Sequence, residues 1–263
     1  MKAIILAAGK GKRLFPMTKE IPKSMIEFGE KSLLERIVNT FRNCKITDIS
    51  IVVGHNANKI NFPDTKIFLN EKYEQTNMLE SLFCAEEKID DVVMISYADI
   101  IFEKRILTKL IASKEDIKIV VDTNWLKYWK LRIENPLDDA HETVIMNKEG
   151  NAISIGQEVK NVKDVDGHFI GLMKIQNNGI KMVKDFYHKS NSKATKDFNP
   201  LNPNLTFENS RLVDLIQGLI SSGIKVSVST TKNGWLEFDT LKDYEIHSDL
   251  KNKNRLNSII NLE

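Results

Sequence analysis

Apolar runs rich in β-branched residues alternate with helical segments through the first half of the chain. Lys2 to Ala8 is such a run, the pattern of a buried parallel strand. Ser32 to Arg42 then sets Leu33, Leu34, Ile37, Val38 and Phe41 at helical spacing. Asp48 to Gly54 predicts a second strand, Lys66 to Leu69 a short third, and Met78 to Ile89 a helix. Asp91 to Tyr97 reads as another buried strand, with Ala98 and Asp99 at its carboxyl end. A helix near Lys104 to Ala112 and a strand from Ile117 to Asp122 follow. This β-α-β alternation predicts a mostly parallel sheet flanked by helices. Ligands of such sheets bind beyond the carboxyl ends of the strands, where Gly9, Gly54 and Asp99 fall.

The second half changes character. Glu142 to Met146 and Ala152 to Ile155, joined by Asn147-Lys148-Glu149-Gly150, read as a β-hairpin with a glycine turn. His168 to Ile175 predicts a strand, Gly179 to His188 a helix, Leu212 to Ile220 a helix and Lys225 to Ser229 a strand. Ser190 to Thr206, rich in Asn, Ser and Pro, predicts a long functional or mobile loop. Without a linker or repeat, the expectation is one Rossmann-like α/β domain over 1–263. Its nucleotide-binding half would span 1–123, and an acceptor-binding half with a β-hairpin insertion would span 124–263.

Candidate chemistry enters at the first turn. The strand stops at Gly9-Lys10-Gly11-Lys12-Arg13-Leu14, and Pro22-Lys23 follow in an irregular segment. Glycines let backbone N–H groups approach an anion, and the cations neutralise it, so this turn suits a phosphate. One residue between Gly9 and Gly11 excludes a Walker A loop, and Leu14 stands where a dinucleotide fingerprint needs glycine or alanine. Composition changes little: 263 residues, 41% hydrophobic and 28% charged, describe an ordinary globular chain. Lys+Arg 38 against Asp+Glu 36 leaves a net charge of +2 without a basic block, so no nucleic-acid partner is implied. Cys44 and Cys84 match no metal spacing and are expected to be buried thiols in a reducing compartment. No apolar run reaches the roughly 18 residues of a membrane span. With Met1 leading straight into the first strand, the expectation is a cytoplasmic protein without membrane insertion. The oligomeric state is not fixed by the pattern, and a homodimer is admissible.

The segment Leu6-Ala7-Ala8-Gly9-Lys10-Gly11-Lys12-Arg13-Leu14 with Pro22-Lys23 resembles the signature of nucleotidyltransferases that activate phosphorylated compounds with an NTP. Further landmarks fall in order: Asn77-Met78 with Ser81-Leu82, Tyr97-Ala98-Asp99, and Trp235 with Glu237-Phe238-Asp239-Thr240. These are similar to the cytidylyltransferase branch, whose acceptors include phosphocholine, aminoethylphosphonate and phosphoglutamine. Trp125 to Arg132, Asn135 to Asp139 and Gly167 to Leu172 look like members of phosphonate or phosphoramidate pathways. His55, where members often carry Tyr, and His141, inside an acidic run, depart from the pattern.

The resemblance implies transfer of CMP from CTP to a small phosphorylated or phosphonate acceptor, with release of pyrophosphate. Leu6, Ala8, Gly9 and Gly11 would meet the nucleotide, and Asn77 and Ser81 its cytosine or ribose. Arg13 would hold the outer phosphates, and Lys23 would stabilise charge at the α-phosphate. Asp99 and Asp239 would hold Mg2+, an ion suited to hard oxygen ligands. On the acceptor side, Arg132 would orient the phosphoryl group, Trp125 and Trp129 would wall a cationic head group, and Asp138 and Asp139 would supply countercharge.

Each assignment has a structural rival. Asp99 or Asp239 could cap a helix, with Glu237 as ligand instead. Asn77 and Ser81 could simply start a helix, and Trp125, Tyr128 and Trp129 could form a core face. His55, His141 and His168 read as structural. A catalytically dead relative should have lost Lys23 or a carboxylate, and a glycosyltransferase of the Asp-x-Asp type is disfavoured by Tyr97. A sugar-1-phosphate nucleotidyltransferase is the nearer alternative.

Overall fold

Strand β1 (Lys2–Ala7) runs through the middle of the main sheet in the computed structural model, which describes residues 1–262 with the side chain of Asp139 left out. After it come the small hairpin β2 (Glu27–Phe28) and β3 (Lys31–Ser32), helix α1 (Leu33–Asn43), β4 (Asp48–Val53), β5 (Thr65–Leu69) and α2 (Met78–Phe83). Next are β6 (Val93–Tyr97), β7 (Ile100–Phe102), α3 (Lys104–Ile111), β8 (Ile117–Asp122) and α4 (Trp125–Arg132). The second half adds β9 (Thr143–Met146), β10 (Ala152–Ile155), β11 (Gly167–Ile175), α5 (Asn178–Lys193) and α6 (Leu212–Ser221). The remaining elements are β12 (Ser227–Thr231), β13 (Trp235–Glu237) and α7 (Leu241–Asn252).

The expected α/β architecture is present, with a mostly parallel central sheet between helices. β5, β4, β1 and β6 are all parallel; β4, β1 and β6 bury their apolar residues, whereas β5 is the edge strand and leaves Ile67 and Leu69 exposed. β11 then inserts antiparallel between β6 and β8, an order that alternation of elements along the chain could not reveal. Residues Leu172–Ile175 pair with β6, whereas Gly167 and His168 pair with β9, so the sheet forks within one strand. Gly171 sits at the fork with φ +78, and a Cβ there would lie 2.3 Å from the Tyr97 ring. Any other residue would push Tyr97 out of its place beside Asp99. β9 and β10 form the expected antiparallel hairpin.

Two boundaries shift and one burial expectation fails. The helix expected over Met78 to Ile89 stops at Phe83 and resumes as a short 3-10 turn over Glu86–Lys88. Helix α5 extends to Lys193, which shortens the predicted loop to residues 194–206. The expectation of two buried thiols fails: Cys84 is exposed and Cys44 half-buried, because each follows the last turn of a helix rather than facing the sheet. Among the described residues, no helix is long and apolar enough to cross a membrane.

Candidate active site

Two short strands outside the main sheet set the chemistry. β7 and β13 pair antiparallel with Ile100 opposite Glu237, and Phe238 N donates to Asp99 O at 2.9 Å. That register brings Asp99, just before β7, alongside Asp239, just after β13. Neither carboxylate caps a helix: α3 starts from Glu103 and α7 from Thr240. Lys23 Nζ lies between them, donating to Asp99 Oδ2 at 2.7 Å and Asp239 Oδ1 at 2.8 Å. Arg13 Nη2 reaches Asp239 Oδ2 at 2.5 Å.

The Lys23 ammonium is held above its ordinary pKa. Burial alone would lower it, but Asp99 and Asp239 outweigh that penalty. The Asp239 carboxyl is correspondingly held below its ordinary range, since Lys23 and Arg13 outweigh its own burial. Gly11 makes the approach of Lys23 feasible. It sits in the left-handed region at φ +63, and a Cβ there would lie 2.8 Å from the Lys23 Cβ. Thr18 Oγ1 donates to Gly11 O at 2.8 Å and pins the turn.

These groups line a cavity of about 270 Å3 at the carboxyl ends of β1 and β6. Leu6, Ala8, Gly9 and Gly11 form one wall and Asn77 and Ser81 another, so every residue assigned above to the nucleotide or metal borders one space. Asn77 does start α2, its side chain accepting from Met78 N at 2.8 Å. Ser81 Oγ donates to Asn77 O and accepts from Asn70 Nδ2 at 2.9 Å. The helix-start reading of these two residues is therefore met, and it coexists with their place on the cavity wall.

The expected acceptor wall is not there. Trp125 and Trp129 are buried, 3% and 0% exposed, and pack with His168 and Trp235. They are core residues and present no face to a ligand. Arg132 is also buried: its fork holds Asp243 through Nε at 2.7 Å and Nη2 at 3.0 Å, while Nη1 holds Glu237 at 2.6 Å. Buried, paired with two carboxylates and bordering neither cavity of the site, this guanidinium is not presented to a phosphoryl group. Helical spacing of aromatics here marks the buried face of a helix whose other side, with Lys127, Lys130 and Leu131, is exposed. Asp138 is exposed, accepts from Asn135 Nδ2 at 2.7 Å and borders neither cavity of the site. The side chain of Asp139 lies outside the described residues. His168, held neutral with its pKa pushed down to about 3 by burial and by Arg132, is structural as expected.

A second cavity of about 350 Å3 adjoins the first and shares Arg13, Asn77, Met78, Tyr97, Asp99 and Asp239 with it. Its own walls are His141, Glu142, Arg211, Val213 and Glu237. Of this set, sequence reasoning singled out Glu237 as an alternative ligand and read His141 as structural, but it missed Glu142, Arg211 and Val213, which carry no motif.

Residues 3–133 match the family of MobA-like NTP transferase domains. Over 259 residues the chain is 35% identical to a CTP:phosphoglutamine cytidylyltransferase of Campylobacter jejuni, covering 94% of this chain and 98% of that protein. Over 107 residues it is 34% identical to a choline-phosphate cytidylyltransferase of Streptococcus pneumoniae, covering 39% of this chain and 47% of the relative. The solved CTP:phosphocholine cytidylyltransferase of Streptococcus pneumoniae shares the fold, with a TM-score of 0.71 at 19% identity over 95% of this chain and 98% of that one. The chain belongs to the nucleotidyltransferase family, in its cytidylyltransferase branch. It is an enzyme of that class.

Proposed function

We propose that this enzyme transfers CMP from CTP to a small phosphorylated or phosphonate acceptor of the phosphocholine, aminoethylphosphonate or phosphoglutamine type, releasing pyrophosphate. The observation that carries the reading is the Lys23–Asp99–Asp239 cluster at the junction of two adjoining cavities. One cavity receives the nucleotide and the other the acceptor.

An acceptor oxygen attacks the α-phosphorus in line, the new P–O bond forms, and pyrophosphate leaves with the electron pair of the broken bond. Both reactants are anions, so positioning and charge neutralisation dominate. The Gly9–Gly11 backbone and Arg13 hold the outer phosphates. Lys23 releases its carboxylate partners to meet the α-phosphate, where negative charge builds in the transition state. No general base is required, because the acceptor oxygen is already largely ionised at neutral pH.

Mg2+ fits the residues present. Asp99 Oδ1 is buried without a hydrogen-bond partner among the described residues, and hard oxygen donors suit that ion. Asp99 and Asp239 would hold it, with phosphate oxygens and water completing the shell. Bound there, it would neutralise triphosphate charge and align the leaving group.

The test is a panel of the four NTPs with Mg2+ and each candidate acceptor, reading pyrophosphate. CTP should be preferred, and release should require acceptor. Preference for UTP, ATP or GTP together with a sugar phosphate would move the enzyme to the sugar-1-phosphate branch.

A further inference from the structure

The second cavity holds one cation that the first does not. Arg211 starts α6 and borders only the second cavity; Lys23 borders only the first, and Arg13 borders both. Its backbone N donates to Asp214 Oδ2 at 2.6 Å, but its half-buried guanidinium makes no hydrogen bond or ion pair among the described residues. Arginine 132, with both carboxylates in place, is the opposite case.

The chain around Arg211 is braced for position. Asn77 N donates to Glu208 O at 2.9 Å, tying the approach to α6 onto the nucleotide-side helix α2. Asn199, 3% exposed, donates from Nδ2 to Ser210 Oγ at 2.9 Å and to Thr206 O at 3.1 Å. Asn202 Nδ2 donates to Asp214 Oδ1 at 2.9 Å. The Asn- and Pro-rich segment 194–206 is thus the scaffold of this corner, holding the Arg211 backbone at a fixed offset from the nucleotide wall.

Geometry assigns the cation a partner. The attacking phosphoryl oxygen must sit where the two cavities meet, and Lys23 and Arg13 already supply positive charge there. Arg211, on the far wall, is left for a different anion on the acceptor. A planar fork binds a carboxylate through two parallel hydrogen bonds, whereas it repels an ammonium. Glu142, hydrogen-bonded to the Tyr97 hydroxyl, supplies the opposite charge on the same cavity wall. A group bearing both a carboxylate and an ammonium matches a wall bearing both signs.

We propose that Arg211 selects the acceptor by binding a carboxylate remote from the attacking phosphoryl oxygen, so that the enzyme prefers phosphorylated amino acids over phosphorylated amines. This rests on the reading of the two cavities as donor and acceptor sides. Kinetics of the wild type, Arg211→Ala and Arg211→Lys, with CTP and phosphoglutamine, aminoethylphosphonate or phosphocholine, decide it. The wild type should prefer phosphoglutamine. Arg211→Ala should lower kcat/KM for phosphoglutamine about ten- to hundredfold or more, as expected for loss of a two-pronged charge-assisted contact. That loss should fall mainly on KM, with the other two acceptors changed by less than about twofold. Arg211→Lys should restore part of the loss, and thermal unfolding of both variants should match the wild type. Unchanged phosphoglutamine kinetics in Arg211→Ala would overturn the proposal. So would an equal loss for all three acceptors, which would place Arg211 on the shared phosphoryl group. Absence of CMP transfer by the wild type to any acceptor would instead remove the function itself, and this inference with it.

Discussion

Two clusters in this molecule have the same composition, one cation between two carboxylates, and different consequences. Lys23 with Asp99 and Asp239 borders the cavity, its side chains 13%, 13% and 14% exposed. Arg132 with Glu237 and Asp243 lies behind it, at 2%, 10% and 3%. The two are joined, since Asp243 Oδ2 accepts from both Asp239 N and Arg132 Nη2. Solvent and ligand can reach the first, so its charges can exchange partners when phosphates arrive. The second is covered by Trp129 and Tyr128, over whose rings the Arg132 guanidinium lies at 4.4 and 5.3 Å. Glu237 borders the second cavity, but Arg132 and Asp243 stay paired whatever the cavity contains. Access to the cavity separates a group that can act on a substrate from one that holds the frame.

Removing each cation should sharpen the contrast. Arg132→Met removes the cation shared by two buried carboxylates and should cost about 3–5 kcal/mol of stability, measured by urea unfolding. The acceptor KM of the remaining folded enzyme should be unchanged. A raised acceptor KM with normal stability would restore Arg132 to the acceptor site and break the comparison. Lys23→Ala should act the other way, keeping cooperative unfolding while kcat falls by the roughly 10²–10³ typical of losing one transition-state donor. Near-normal turnover in that variant would take Lys23 off the catalytic list.

The most gradual effect is read from pH. His168 and His247, beside the dry cluster, are pushed down to about 3 by burial and by the Arg132 charge. Unfolded, each would titrate near the ordinary histidine value of about 6.5. Between those limits the unfolded chain binds more protons than the folded one, so stability falls as pH drops from about 6.5 toward 3. The slope should approach about 1.4 kcal/mol per pH unit for each histidine. The depressed Asp239 and Asp243 act at still lower pH, their contributions being lost as pH falls through their folded values. Unfolding midpoints that stay flat below neutrality would show that these histidines are not held neutral.

Local chemistry was legible in the sequence wherever a short stretch had to do a local job. The run ending at Gly9-Lys10-Gly11 declares a strand that opens into an anion-binding turn, because backbone approach and positive charge are properties of adjacent residues. Asp99 and Asp239 could be singled out by their setting at the ends of apolar runs, and Lys23 by its place after Pro22 in the nucleotidyltransferase-like signature. Their meeting depends on the β7–β13 pairing and could not be read from spacing. The region from Trp125 to Asp139 misled for a physical reason: an aromatic and an arginine look the same in sequence whether they wall a pocket or fill a core. Only burial tells them apart, and burial of α4 is decided by distant elements, β11, β13 and α7, that close over it. Arg211 escaped notice for the converse reason. Nothing within its own segment marks it, and its place in the second cavity comes from hydrogen bonds made by Asn77, Asn199 and Asn202 across the fold. Sequence determined which residue types could do the chemistry; packing between segments far apart in the chain decided which of them face the cavity, because solvent access belongs to the assembled core and to no single stretch of it.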